Sequence, residues 1–427
     1  ADVLASRSTS FEVKVADGKI VTLTQSVGKG VGLRVFVGEQ MGFASTSDFS
    51  AESLRHSAER AVQSAKETAV DPHNGLPEIE PGRIDVPDSL ELYDPAIVTL
   101  SPEQKIAWAH ELEEAARAHD PRVSKFRHSG VADGESYTVL LTSNGAVRTG
   151  RSTGISMWCT PVAEADGELQ TDVWYDSRTH LEDLEPVEAI GTKAAQRAVR
   201  MLGAKPIPTK TIPIIFEPRM AVGFLGGVVA GIDGDSVHKR ASFLADKLGE
   251  VIAVPGLTLV DDPLLVRGSA SSPFDSEGLP TYRKKLVDAG RLTMFLYDSY
   301  TARKVGVEPT ASGRRGYASP PSASTYNFFV EAGPDDPKAI WSEVDEALVI
   351  TRALGRGLNS VSGEYSRGVN GLWIEKGEVV HPVQEVTIAG DYLEMLQRID
   401  ALGTDLEIRG SSGAPTVRID GVTVSGS

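Results

Sequence analysis

Cysteine is nearly absent. Cys159 is the only one in 427 residues, so no intramolecular disulfide can form, and a reducing cytoplasm is the expected location. It lies in the apolar run Ser156-Met157-Trp158-Cys159, where a small buried side chain is expected rather than a nucleophile. Long apolar runs are missing too. A membrane helix takes about 20 such residues in a row, and no stretch comes near that. Positive charge is in short supply, with 43 Lys and Arg against 59 Asp and Glu, a net charge of −16. Affinity for nucleic acid comes largely from neutralising phosphates with Lys and Arg, so no nucleic-acid partner is expected. The two basic clusters, Arg283-Lys284-Lys285 and Arg314-Arg315, read as short solvated surface.

Cofactor and nucleophile motifs are lacking as well. The glycines of Gly30-Val31-Gly32-Leu33-Arg34 are not followed by a helix start, which excludes a dinucleotide fingerprint. No phosphate loop and no Ser elbow between a strand and a helix is found. Eight histidines occur, none in HExxH spacing. His110-Glu111 begins like that motif, but Glu114 stands where the second His belongs, and Glu111, Glu113 and Glu114 read as a solvated acidic face. His238 is expected at the surface. Asp261-Asp262-Pro263 reads as turn chemistry at a strand end.

What is present divides near residue 205. Two domains are expected from the length: residues 1–204 as a mixed α/β domain and 205–427 as a β-rich one, an α+β chain overall. Strands are expected in FEVKV, KIVTLTQS, GVGLRVFVG and MGFASTS, with Asp17-Gly18 as a hairpin turn. Ser50–Ala69 has helical spacing. Ser101-Pro102-Glu103-Gln104 is a helix start, with a capping Ser and Pro at the first position. Residues 71–95 read as an extended excursion. Strands return over 122–175 around Asn144-Gly145, and a helix closes the half at 186–202. Beyond the linker, TIPIIFEP is a buried strand. The remainder is expected to be mostly β, with turns at 288–291 and 376–377 and helices at 337–347 and 391–399.

Three segments carry a resemblance. They are Phe274-Asp275-Ser276-Glu277-Gly278-Leu279-Pro280-Thr281, Leu296-Tyr297-Asp298-Ser299-Tyr300-Thr301-Ala302-Arg303 and Gly313-Arg314-Arg315-Gly316. In this order and spacing they resemble the TldD/PmbA family, whose members pair as a zinc-bearing subunit (TldD) and a metal-free one (TldE or PmbA). The resemblance implies a helix ahead of the first strand, so the start at Ala1 is expected to be a truncated or processed one. It also implies that a zinc-binding member presents His-Glu and a second His on one helix just after the first strand of the second domain. Zinc needs imidazole ligands one turn apart, and the acid activates its bound water. Here residues 220–232 contain no His, Glu, Asp or Cys. The other expected ligand, a Cys in a Gly-rich loop near the C-terminus, is absent from residues 406–415.

These departures make the chain similar to the TldE/PmbA-type subunit. It is expected to hold no metal or cofactor itself, to pair with a zinc-bearing TldD-type subunit, and to complete a cleft for unfolded peptides. Alone, it is expected to pair with itself. The candidate substrate- or partner-binding residues are Arg314, Arg315, Tyr317, Tyr326 and Asn327, in a polar, Pro-rich stretch between strands. Two arginines there can pair with carboxylates, and two tyrosines can stack. The competing account of the same stretch is a loop joining two β-segments. A self-sufficient homodimeric hydrolase and a non-enzymatic binding scaffold are the alternative functions. Whether the chain has enzyme activity alone stays open.

Overall fold

Asp17 and Gly18, with φ of 51° and 73°, turn strand β1 (Asp2–Ala16) back into β2 (Lys19–Val37). Both angles are positive, as a tight hairpin requires. A computed structural model describes residues 1–355 and 357–426. The first half adds β3 (Gln40–Thr46), α1 (Ala51–Glu67), β4 (Gly82–Asp85), α2 (Pro95–Val98) and α3 (Pro102–His119). Then follow β5 (Val123–Thr142), β6 (Ala146–Ala165), β7 (Glu168–Thr171), β8 (Trp174–Arg178) and α4 (Val187–Val199). These eight strands form one sheet in the order β3-β2-β1-β5-β6-β4, with β7 and β8 also on β6.

Helix α3 starts where the capping residues place it: the Ser101 side chain accepts from Gln104 N and Pro102 opens the helix. Its Ala109, Leu112 and Ala116 pack with Ile190, Ala194 and Ala198 of α4 into the core under β5 and β6. Glu113 is not on a solvated face. It is buried, and its Oε2 accepts the Gly18 N–H at 2.8 Å, pinning the first hairpin turn to α3.

Strand β1 begins nine residues earlier than FEVKV, and KIVTLTQS and GVGLRVFVG form one continuous strand. β3 pairs only with Val31–Val37 of β2. Among the described residues, the outer edge of β2 is therefore free over the stretch before Val31. Ile20, Val21, Leu23 and Val27 there are exposed.

The second half begins with β9 (Lys210–Phe216), paired on both sides within a six-stranded sheet with Glu346–Leu354 and Val417–Ser425. A pairing of Glu378–Asp391 with Val417–Ser425 closes five of those strands into a ring. A second six-stranded sheet carries Leu259–Asp261, Lys284–Asp288 and Phe328–Val330. The described strands before residue 205 and those after it share no sheet; an isolated bridge, Lys205 with Val383, lies beside the linker.

More helix is present than the sequence indicates: α5 (Pro218–Leu225), α6 (Gly227–Gly231), α7 (Gly234–His238) and α8 (Ser299–Val305). The helix expected over 337–347 stops at Ser342, because Glu346–Leu354 is a core strand. No helix among the described residues is long and apolar enough to cross a membrane.

Candidate functional site

In the antiparallel ladder of β1 and β2, Asp2 lies directly opposite Arg34. Opposite charges at such cross-strand positions attract, and here both side chains are buried. Arg34 Nε and Nη2 donate to Asp2 Oδ2 at 3.0 and 2.6 Å. The remaining nitrogen, Nη1, reaches across to the second half and donates to Glu277 Oε1 at 3.0 Å. Burial opposes the Arg34 charge, but Asp2 and Glu277 outweigh it and hold the guanidinium pKa above its ordinary value.

Around Glu277 the three resemblance segments converge. Its Oε2 accepts from Ser299 N at 2.7 Å, next to the Asp298 cap of α8. Asp275 accepts from Glu277 N and Leu279 N with Oδ1 and from Gly313 N with Oδ2. Arg315 N donates to Ser276 Oγ, and Arg315 Nη2 donates to Asp2 Oδ1 at 2.9 Å. Burial, with the nearby Glu277 charge second, pushes the Asp275 carboxyl up to about 7. The segments thus build one charged knot that ties the second half to the first two strands.

Glycine makes the approach possible. Gly30, Gly32 and Arg34 share one face of β2. A Cβ on Gly32 would sit 1.9 Å from the Tyr317 carbonyl oxygen, and one on Gly30 would sit 2.2 Å from the Tyr317 ring.

A cavity of about 270 Å³ lies between the sheet and the second half, lined in part by Thr138, Arg148, Ser271, Asp275, Arg314 and Tyr326. Arg148 is 2% exposed and donates to the carbonyls of Glu80, Gly82, Val147 and Gly278, so it clamps the Gly278 loop onto β4 and β6. Ligand sites usually run from about 300 to 1,000 Å³, so this cavity lies just below that range.

The five candidate residues separate into three groups. Arg314 and Tyr326 meet at the cavity: the guanidinium lies 4.7 Å from the ring centre, and Arg314 Nη1 donates to Thr325 O. The Tyr326 hydroxyl is buried without a partner among the described residues, and burial raises its pKa well above the ordinary value. Arg315 lines the same cavity, but its side chain is 1% exposed and committed to Asp2. Asn327 and Tyr317 stand outside the lining. Asn327 holds the 270–271 loop through Ala270 N and Ser271 Oγ, and Tyr317 lies on the glycine face of β2.

The surface reading of the two basic clusters fails at Arg315, whose side chain is 1% exposed, and at Lys284, and the turn reading fails at Asp261. Lys284 belongs to the core, 1% exposed, with its Nζ 3.4 Å from Asp261 Oδ2. Asp261 also accepts from Tyr326 N at 2.6 Å, so Asp262 alone serves the turn, accepting from Leu264 N. Cys159 is buried as expected, and burial pushes its thiol up to about 12.

The two segments where the resemblance places zinc ligands are neighbours in space, since α5 packs on Ser412–Ala414. What surrounds α5 is aromatic. Phe224 stacks on Phe216 at 5.0 Å and meets Tyr365 edge-on, and the Tyr392 hydroxyl donates to Phe224 O at 2.6 Å. The Leu, Gly, Val and Ala side chains of 225–231 carry no donor atom for zinc. Among the described residues, no group of three or more His, Cys, Asp or Glu is placed to hold a metal.

The three segments thus serve contact between the two halves of the chain, and the two-part fold they hold together is that of a metallopeptidase family. Family models for PmbA/TldA metallopeptidases match as domain 1 over residues 1–65, the central domain over 96–202 and the C-terminal domain over 209–426. The chain belongs to the PmbA/TldD metallopeptidase family. It is 31% identical to metalloprotease PmbA of Escherichia coli O157:H7, over 100% of this chain and 92% of that protein. A Haemophilus influenzae metalloprotease TldD homolog is 25% identical, again over 100% and 92%. A solved Bacteroides thetaiotaomicron structure, described as a candidate modulator of DNA gyrase, superposes with a TM-score of 0.90 at 28% identity, covering 100% of this chain and 94% of that one. TldE from Thermococcus kodakarensis shares the fold, with a TM-score of 0.89 at 23% identity over 100% and 96%.

Proposed function

We propose that this chain is the metal-free, TldE/PmbA-type subunit of a two-chain zinc peptidase, and that it completes the peptide cleft of a TldD-type partner. The observation that carries this reading is the donor-free segment 220–232 in a chain of this family: it forms α5 and α6, and its Phe224 is packed among Phe216, Tyr365 and Tyr392. Catalytic zinc belongs to the partner, and the substrate is an unfolded peptide in the cytoplasm. The free outer edge of β2, with Ile20, Val21, Leu23 and Val27 exposed, supports pairing, because unpaired apolar edges invite another chain. Such a permanent interface buries roughly 2,000 Å² or more. Without its partner the chain covers that surface by pairing with itself. Residues 1–204 and 205–427 act as the two domains, and Arg314 with Tyr326 faces the substrate side.

Elemental analysis of the isolated chain tests the metal assignment. Substoichiometric zinc is expected after mild chelation; about one tightly held zinc per chain overturns it.

A further inference from the structure

A second cavity, of about 940 Å³, opens where α4, the start of α5 and the helix Pro337–Ser342 meet. Its volume falls within the range of small-molecule sites. Three acids line it, and each already has a partner. Glu217 accepts from Arg197 and Arg200. Asp405 accepts from the Thr416 backbone and hydroxyl, and Glu407 is held by Arg409. Five cations line it, and three of them, Lys193, Arg219 and Lys338, pair with no carboxylate among the described residues. Five cations against three acids leave this cavity with a positive lining in a chain whose net charge is −16.

Arg219 is the most unusual of the three. Its Nη1 donates to Val173 O at 2.7 Å, its Nε is buried without a partner among the described residues, and the guanidinium lies 5.3 Å from the Trp174 ring and 5.1 Å from the Tyr175 ring. Its neighbour Arg197 differs, with carboxylates at 3.0 Å (Asp172) and 2.8 Å (Glu217). Asp172 and Glu217, the carboxylates whose charges reach Arg219, are both bonded to Arg197, which leaves the Arg219 charge without a direct partner at the cavity wall among the described residues. Burial, with the Arg197 charge second, pushes the Arg219 pKa down despite the opposing pull of Asp172 and Glu217, and an anion at the cavity wall would act against that shift. Trp341 lines the same space, half-buried, with no ring or cation stacked on it among the described residues.

We propose that this cavity binds a small organic anion. Its carboxylate or phosphate head pairs with Arg219, Lys193 and Lys338 stand at the mouth, and its flat apolar body rests on Trp341. A guanidinium with free in-plane donors suits either head group.

Calorimetry on the isolated full-length chain with benzoate, phenyl phosphate, inorganic phosphate and benzylammonium tests this. The chain is used without any partner, so failure here leaves the subunit reading untouched. Saturable binding of benzoate or phenyl phosphate is expected, weakening with salt, and whichever binds tighter identifies the head group. Inorganic phosphate should bind about tenfold more weakly for want of the apolar body, and benzylammonium not at all. Arg219→Gln should weaken the aromatic anions by about tenfold, as expected for loss of a charge-assisted pair. Trp341→Ala should weaken the aromatic anions and leave inorganic phosphate unchanged. If Arg219→Gln does not fold, the double variant Lys193→Gln/Lys338→Gln, at exposed positions that pair with no carboxylate among the described residues, should still lower affinity about threefold or more. Absence of saturation by both aromatic anions overturns the proposal, as does unchanged affinity in every charge variant that folds.

Discussion

Replacing Arg34 with Met keeps most of the side-chain volume and removes the cation at the centre of the knot. Three hydrogen bonds go with it, two to Asp2 and one to Glu277. Neither carboxylate is wholly abandoned, because Asp2 keeps Arg315 and Glu277 keeps Ser299 N. Both carboxylate side chains are nonetheless 0% exposed, so water cannot replace the lost cation without opening the contact. Breaking a buried pair from one side costs about 3–5 kcal/mol, and the surviving partners argue for the lower half of that range. The loss falls on the contact between the first two strands and the second half, so the first unfolding transition in urea at pH 7 is the one to follow. Adding Glu277→Gln to Arg34→Met neutralises one stranded acid, and the double variant should lose less than the sum of the two single losses. A loss below about 1 kcal/mol for Arg34→Met would refute the reasoning, since that is the worth of a solvated surface pair.

Asp275 gives a pH prediction. Its folded pKa of about 7 lies above the ordinary carboxylate value, so the folded state binds the extra proton. That contribution is full below about pH 4 and is lost as pH rises through 7. Stability measured in urea from pH 4 to 7 should therefore fall less steeply in Asp275→Asn, and an identical slope would count against a protonated Asp275. Gly32→Ala drives a Cβ into the Tyr317 carbonyl and should cost about 1–3 kcal/mol through displacement of that loop. Trypsin should then cut after Arg314 or Arg315 faster than in the unmodified chain; equal rates would mean that the loop does not need the glycine face.

Local signals in the sequence were readable where local chemistry decides the structure. Ser101-Pro102 fixes the start of α3, Asp17-Gly18 the first turn, and Lys376-Gly377 a later one. Nonlocal pairing was not readable. Lys284 looks like a surface lysine until Asp261, on the neighbouring strand, is seen against it, and Glu113 looks solvated until the Gly18 turn folds onto it. Gly223, Gly226, Gly227 and Gly231 fall in or between α5 and α6, where glycine is a poor helix former, and α5 is held by aromatic packing that no short window reveals. The resemblance pointed to the right segments but not to their contacts. The missed residues were Asp2, Arg34 and Arg148. The available signal for Arg34 was its phase, since an arginine on the same face as two glycines marks a strand face closely covered by another segment.

Cleavage of an unfolded peptide by the cognate TldD-type chain, measured with and without this chain, tests the subunit reading most directly. The mixed complex should cleave faster than the TldD-type chain alone. Arg314→Ala should slow the complex without removing its zinc, through loss of the cation beside Tyr326. Equal cleavage by the mixed complex and by the TldD-type chain alone would contradict the completing role.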